Sequence, residues 1–170
     1  MQWVEQGTIA NHRYAVVPRS LVLITYGNDL LLLRGADDKR LWPNRLNGIG
    51  GHLEAEEGLI ESAHREIREE TGLEVTELAL RGLIHISGQP PDPGVLLLVF
   101  SAQALSRQTQ GSVEGALEWH AMDTLPYDEM VDDLPLLLSR LFGPAACPGL
   151  LFGHYQVDAQ GAMHSRLDSL

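Results

Sequence analysis

Between Glu57 and Thr71 the apolar residues Leu59, Ile60, Ala63 and Ile67 recur at spacings of three and four, and Gly72 follows the last turn. That period predicts an amphipathic helix with one apolar stripe, and a glycine just past its end predicts a left-handed C-cap. The same stretch carries an unusual charge. From Glu54 to Glu74 there are eight glutamates against only Arg65 and Arg68, a net −6 in a chain whose formal net charge is −11. Glu66, Glu69 and Glu70 stand at i, i+3 and i+4, so their carboxylates share one face. A solvated acidic face is the ordinary reading of such a run, and two physical facts weaken it. Like charges one turn apart destabilise a helix by a few tenths of a kcal/mol per pair, on the order of those measured in isolated helices. The C-terminal end of a helix also carries roughly −0.5 charge and favours cations. A bound divalent cation resolves both conflicts, because clustered carboxylates are natural ligands for Mg²⁺.

Around this helix the chain alternates apolar runs with turn signals. Ser20–Tyr26 and Leu30–Arg34, split by Gly27-Asn28-Asp29, predict a β-hairpin. The turn-rich stretch from Gly35 to Gly51, with Pro43, Asn44 and Asn47, is long for a plain connection, and long ordered loops tend to carry function. Strands are expected at Leu78–Ser87, Val95–Ala102 and about Leu117–Met122, a second helix at Leu134–Leu141, and a last strand at Leu150–Val157 with a hairpin return at Gly161. Strands with two separated helices predict an α+β sandwich, a mixed sheet flanked by helices. No linker or repeat divides the chain, so 1–170 reads as one domain with a loosely specified tail from about residue 143.

Composition narrows the partners. With 12 Lys+Arg against 23 Asp+Glu, the chain is a poor candidate for gripping nucleic-acid polymers by counterion release or for lying on an anionic membrane. If it handles a polyanion, something other than net charge must supply the positive field. No apolar stretch approaches the ~18–20 residues of a membrane span. The start, MQWVEQG, has no basic and apolar pattern of a signal peptide, and a lone Cys147 excludes an intramolecular disulfide. The expectation is a cytoplasmic protein.

Gly51, five residues, Glu57, seven residues, Arg65-Glu66-Ile67, one residue, Glu69-Glu70, one residue, Gly72-Leu73 matches the Nudix box at every position. The chain therefore resembles the Nudix hydrolases, and Glu118-Trp119 and Leu125-Pro126 resemble that family's later strand and turn. The resemblance implies an α/β/α sandwich and hydrolysis of a nucleoside diphosphate linked to a further group, with Mg²⁺ or Mn²⁺. It implies Glu66, Glu69, Glu70 and the Gly50 carbonyl as metal ligands, with Arg65 pairing with Glu57 to hold loop against helix. The chemistry is coherent: phosphoanhydride cleavage needs phosphate charge neutralised and a water deprotonated. Glu69 or a loop acid could act as general base, and the resemblance favours Glu114 over Glu118.

Within the family, Asn47-Gly48-Ile49-Gly50-Gly51 and the run from Leu125-Pro126 through Asp132-Asp133 to Leu138 resemble the oxidised-purine (8-oxo-dGTP-type) diphosphatases. That implies Asn47, Asp132 and Asp133 as readers of the base, although Leu46 and Val131 stand where aromatics are expected. The plainer roles are a turn residue for Asn47 and a helix cap for either aspartate. Arg34 and Arg40 flank the long loop, where they could meet phosphates. His52 and His64 flank the box and could face phosphate, though surface positions suit both better; Trp42 could supply stacking, though edge or core packing suits Trp3, Trp42 and Trp119 better. An ordinary nucleoside triphosphate, a dinucleoside polyphosphate, a nucleotide sugar and a non-catalytic binding module are the alternatives. A homodimer is compatible with the resemblance.

Overall fold

A computed structural model describes residues 14–88, 92–144, 146–158, 160 and 162–169. The N-terminal MQWVEQG segment, Trp3 and the expected turn at Gly161 lie outside them. The elements run β1 (Val16–Tyr26), β2 (Asp29–Gly35), β3 (Leu46–Asn47), α1 (Leu59–Thr71), β4 (Val75–Ile86), β5 (Gly94–Ala104), β6 (Gly115–Ala121), α2 (Leu134–Leu141), β7 (Leu151–Val157) and β8 (Met163–Ser169). A single 3₁₀ turn, Tyr127–Glu129, precedes α2.

The β1–β2 hairpin forms as the apolar runs predict, with Gly27 at φ 60° in the turn. β1 then pairs in parallel with β5, and β4 in parallel with β7, while the remaining ladders are antiparallel. The sheet order is β3-β2-β1-β5-β4-β7-β8, with β6 also on β2. It is a mixed sheet, as expected.

Alternation explains why it is covered on both faces. Along β1, Leu21 and Leu23 belong to one buried cluster and Val22 and Ile24 to the other. A strand's side chains point to opposite faces in turn, so a continuous apolar run demands cover on both. The first cluster is completed by Leu134, Leu137, Leu138 and Leu141 of α2 and by Tyr155 of β7. The second is completed by Ala63 and Ile67 of α1. The result is the expected α/β/α sandwich. Its C-terminal hairpin is tied to the rest through β4, where Gly82 to Ile86 pair with Leu151 to Tyr155.

Helix α1 departs from its predicted stripe. Ala63 and Ile67 are buried, but Leu59 and Ile60 in the first turn stay about half exposed. The face turned inward holds Ser62, Glu66, Glu70 and Thr71 as well, so the helix buries two carboxylates. Gly72 caps it at φ 68° and donates to the Arg68 carbonyl. The Gln110 N–H closes the Thr71 carbonyl at 2.8 Å. Those donors satisfy carbonyls that a helix end otherwise leaves open. Helix α2 spans the expected residues.

Candidate active site

Two segments meet to make the site. The loop before α1 runs beside β1, with Ser20 N–H on the Gly51 carbonyl and Val22 N–H on the Ile49 carbonyl. This brings Gly50 and Gly51 over the inward face of α1. A Cβ on Gly50, at φ 147°, would collide with the Ser20 carbonyl, so that position favours glycine, and a Cβ on Gly51 would push against the end of the Glu66 side chain. The Gly50 N–H donates to Glu70 Oε2 at 3.1 Å.

Arg65 organises the acids. Its guanidinium donates twice to Glu57, at 2.9 and 2.7 Å, and also to Glu66 Oε1 at 2.9 Å, Glu69 Oε2 at 3.1 Å and the His52 carbonyl at 3.1 Å. The expected Glu57–Arg65 pair is therefore present, and it does hold loop against helix. Arg65 beside it keeps the Glu57 carboxyl down at about 2. Glu69, the one acid of the three turned to solvent, is 60% exposed.

Glu70 is the opposite case. Its burial, reinforced by the Glu114 charge and opposed by the Gly50 N–H, pushes its pKa up to about 8. Burial therefore disfavours its charged form at neutral pH unless a counterion lies beside it. Among the described residues, no three acid, histidine or cysteine side chains stand together as a ready metal cage. Arg65 and the Gly50 N–H occupy the donors instead. The donor chemistry still fits a divalent cation: the hard carboxylates of Glu66 and Glu69 meet on Arg65 Nη1, and the Glu70 carboxyl, whose charge is costly without a counterion, lies against Gly50.

Next to these acids opens a cleft of about 320 Å³. Arg19, Lys39, Arg40 and Arg45 line it, together with Glu70 and Glu114. A third of the chain's 12 cations thus gather at one place beside its densest acids. That answers the requirement for a local positive field. Only Arg40 of these four was singled out by sequence reasoning. Arg19 hides in an apolar strand and Lys39 and Arg45 in a polar loop, so no local period marks them.

The other expected residues fall as follows. Glu114 reaches the cleft and pairs with Lys39 at 2.6 Å. Glu118 does not line it: Arg34 donates to this carboxylate at 2.6 and 3.1 Å and lowers its pKa from the usual carboxylate value. Arg34 differs from expectation. Its guanidinium is taken up by Glu118, by Glu129 at 2.7 Å and by the Asn44 carbonyl at 3.2 Å, outside the cleft lining. Asn47 lines the cleft, while its Oδ1 accepts from Gly48 N–H at 2.8 Å as a turn residue would. Val131 lines the cleft but Asp132 and Asp133 do not. Asp132 is exposed, 3.8 Å from Arg45. Asp133 stands at the N-cap of α2 without a side-chain capping bond, and burial pushes its pKa up. His52 is exposed, as expected, and lines the cleft; Trp42 lines it too and is half exposed, contrary to its packing reading, whereas Trp119 packs at the core's edge under Arg107.

Residues 16–141 match the sequence profile of the NUDIX domain. The chain belongs to the Nudix hydrolase family. Over 119 residues, 68% of its length, it is 34% identical to the NAD-capped RNA hydrolase NudC of Pseudomonas aeruginosa, and it spans 40% of that relative. It is 32% identical to the oxidized purine nucleoside triphosphate hydrolase of Mus musculus, over 71% of this chain and 79% of the relative. The crystal structure of a MutT protein from Bacillus halodurans shares the Nudix fold with a TM-score of 0.68 at 22% identity, covering 90% of this chain and 98% of that one. In this Nudix protein the box is the segment just described, from Gly51 to Leu73.

Proposed function

We propose that the chain is a Mg²⁺- or Mn²⁺-dependent pyrophosphohydrolase that cleaves a phosphoanhydride of a nucleoside di- or triphosphate derivative. The leading substrate is an oxidised purine triphosphate of the 8-oxo-dGTP type, released as monophosphate and pyrophosphate. One observation carries the reading: four cations line a cleft whose wall includes Glu70 and Glu114, in a protein of net charge −11. Phosphates need the cations, and hydrolysis needs the acids. We extend the reading to the whole chain as one Nudix domain acting on small nucleotides in the cytoplasm. Among the described residues, no helix is long and apolar enough to cross a membrane.

Glu66, Glu69 and Glu70, with the Gly50 carbonyl, would hold the divalent cation. When bound, such an ion neutralises phosphate charge and acidifies a water. The protein's own residues do the rest. Arg19, Lys39, Arg40 and Arg45 draw the phosphate chain into the cleft. Arg65 fixes the carboxylates of Glu66 and Glu69 in place. Glu69, solvent-facing, or Glu114, in the cleft wall, takes the proton from the attacking water. Asn47 and the segment through Asp132 and Asp133 read the base.

Likeness to a relative named for oxidized purine triphosphates over 79% of its length supports the leading substrate. Likeness to the NudC relative supports a dinucleotide-type pyrophosphate as the second reading. A hydrolysis panel in Mg²⁺ and Mn²⁺ separates them, with the cleaved bond identified from the products. Higher kcat/KM for 8-oxo-dGTP than for dGTP and NAD upholds the first. A preference for NAD establishes the second, and no hydrolysis of any nucleotide returns the chain to a binding module.

A further inference from the structure

Lys39 is the chain's only lysine, and its ammonium lies 2.6 Å from Glu114 Oε2 in the cleft wall. The two backbones are pinned to each other. Ala36 N–H donates to the Glu114 carbonyl at 3.1 Å, and Lys39 N–H to the Ala36 carbonyl at 3.1 Å. Glu114 N–H donates to Ser112 Oγ at 3.1 Å, and a bridge joins Ser112 to Gly115. What remains free to move is the pair of side chains, one third and nearly half exposed.

Resting on the hydrolase reading above, we propose that Lys39 and Glu114 form a latch released by substrate: Lys39 binds a substrate phosphate, and until one arrives it neutralises Glu114 beside the acidic face of α1. The chemistry favours the exchange. An ion pair this exposed is screened and weak. A lysine ammonium is a point charge with three donors on a flexible stem, suited to changing partners. In the cleft a polyphosphate presents more negative charge than one carboxylate, among Arg19, Arg40 and Arg45. Lys39, Glu70 and Glu114 line the same cleft, so the charge on each acts on the others across it. When the ammonium transfers to phosphate, the Glu114 charge stands uncompensated near Glu70, and the acidic cluster holds a divalent cation more tightly. Phosphate and cation therefore bind cooperatively, each strengthening the other by the same factor.

The test is the Lys39→Met variant of the full chain, measured two ways. In calorimetric titration with Mn²⁺ alone, the variant binds the metal about two- to fivefold more tightly than the unaltered protein, the range of a surface charge pair. With the preferred nucleotide, its KM rises about tenfold and kcat stays within a few-fold, as expected for one lost charge-assisted phosphate contact. Lys39→Arg restores both values. In the double variant with Glu114→Gln the gain in Mn²⁺ affinity disappears. Unchanged or weaker Mn²⁺ binding by Lys39→Met overturns the latch, and so does an unchanged KM. If the unaltered protein hydrolyses no nucleotide, the hydrolase reading fails and the latch with it, a result visible before any variant is made.

Discussion

Arg34 and Arg65 are near twins in chemistry. Each guanidinium is about a quarter exposed, grips one carboxylate through two nitrogens, reaches at least one further acid and donates to one backbone carbonyl. They differ in where their partners come from. Arg65 collects His52, Glu57, Glu66 and Glu69, all within one short stretch that includes the α1 turn it sits on. Arg34 on β2 collects Asn44 from the cleft loop, Glu118 from β6 and Glu129 from the turn before α2. The first network shapes the carboxylates that would hold the metal. The second ties the cleft loop to the segment leading to Asp132 and Asp133. One is local chemistry, and the other is a cross-brace between distant parts of the chain.

The largest expected effect lies on the Arg65 side. Glu69→Gln lowers pyrophosphate release in Mg²⁺ by about 10²–10⁴-fold, the range of a lost general base. Because the side chain is mostly exposed, the thermal midpoint stays near that of the unaltered protein. Wild-type turnover in this variant would remove the acidic face of α1 from the reaction.

Arg34→Met and Arg65→Met sharpen the contrast directly. Both take a guanidinium from partly buried acids, leaving Glu118 with His120 alone and Glu57 with the Glu54 N–H, and each lowers stability in denaturant unfolding. Their kinetics part. Arg65→Met lowers kcat at least about tenfold, an effect carried by the carboxylates it orders. Arg34→Met leaves kcat within a few-fold and raises KM, most for the preferred base. If both variants lose kcat alike, the two braces serve one function and the distinction fails.

The smallest effect concerns the segment that Arg34 secures. Burial, with the Asp132 charge nearby, raises the Asp133 pKa above its usual 3.8. A carboxyl raised on folding favours the protonated form, so its contribution is full in acid and is lost as pH rises through the raised value. Asp133→Asn mimics the neutral acid. It matches the unaltered protein below pH 3.8 and is the more stable of the two at neutral pH, as pH-dependent melts would show. Relative kcat/KM among purine substrates shifts by about tenfold, whereas turnover of an unselective substrate does not change. An unchanged base profile would leave Asp133 with no part in base reading.

Much of the architecture followed from local patterns. The hairpin around Gly27, the span of α2 and the left-handed cap at Gly72 each depend on residues within a turn or two of one another. Edges were less legible: β4 starts at Val75, three residues before its apolar run, because Val75 and the exposed Thr76 pair with β5 ahead of an irregularity that holds Glu77 at φ 53°. The stripe of α1 misled in its first turn, where Leu59 and Ile60 remain in solvent and the carboxylates of Glu66 and Glu70 go inward. Periodicity reports which residues share a side of a helix. It does not report how far the sheet beneath extends or what the facing loop needs.

By itself, the sequence determined the acidic helix and its glycine cap, since a few consecutive turns set both, and the resemblance carried by the box implied the Arg65–Glu57 clasp. Only the tertiary structure decided the site's positive half. Arg19 and Arg45 enter the cleft by way of β1 and the loop before β3, Lys39 meets Glu114 across 75 residues of chain, and Arg34 meets Glu118 across 84. Contacts between charges so far apart in the chain leave no period to read. They exist because β2 pairs with β6 and the long loop folds back over both.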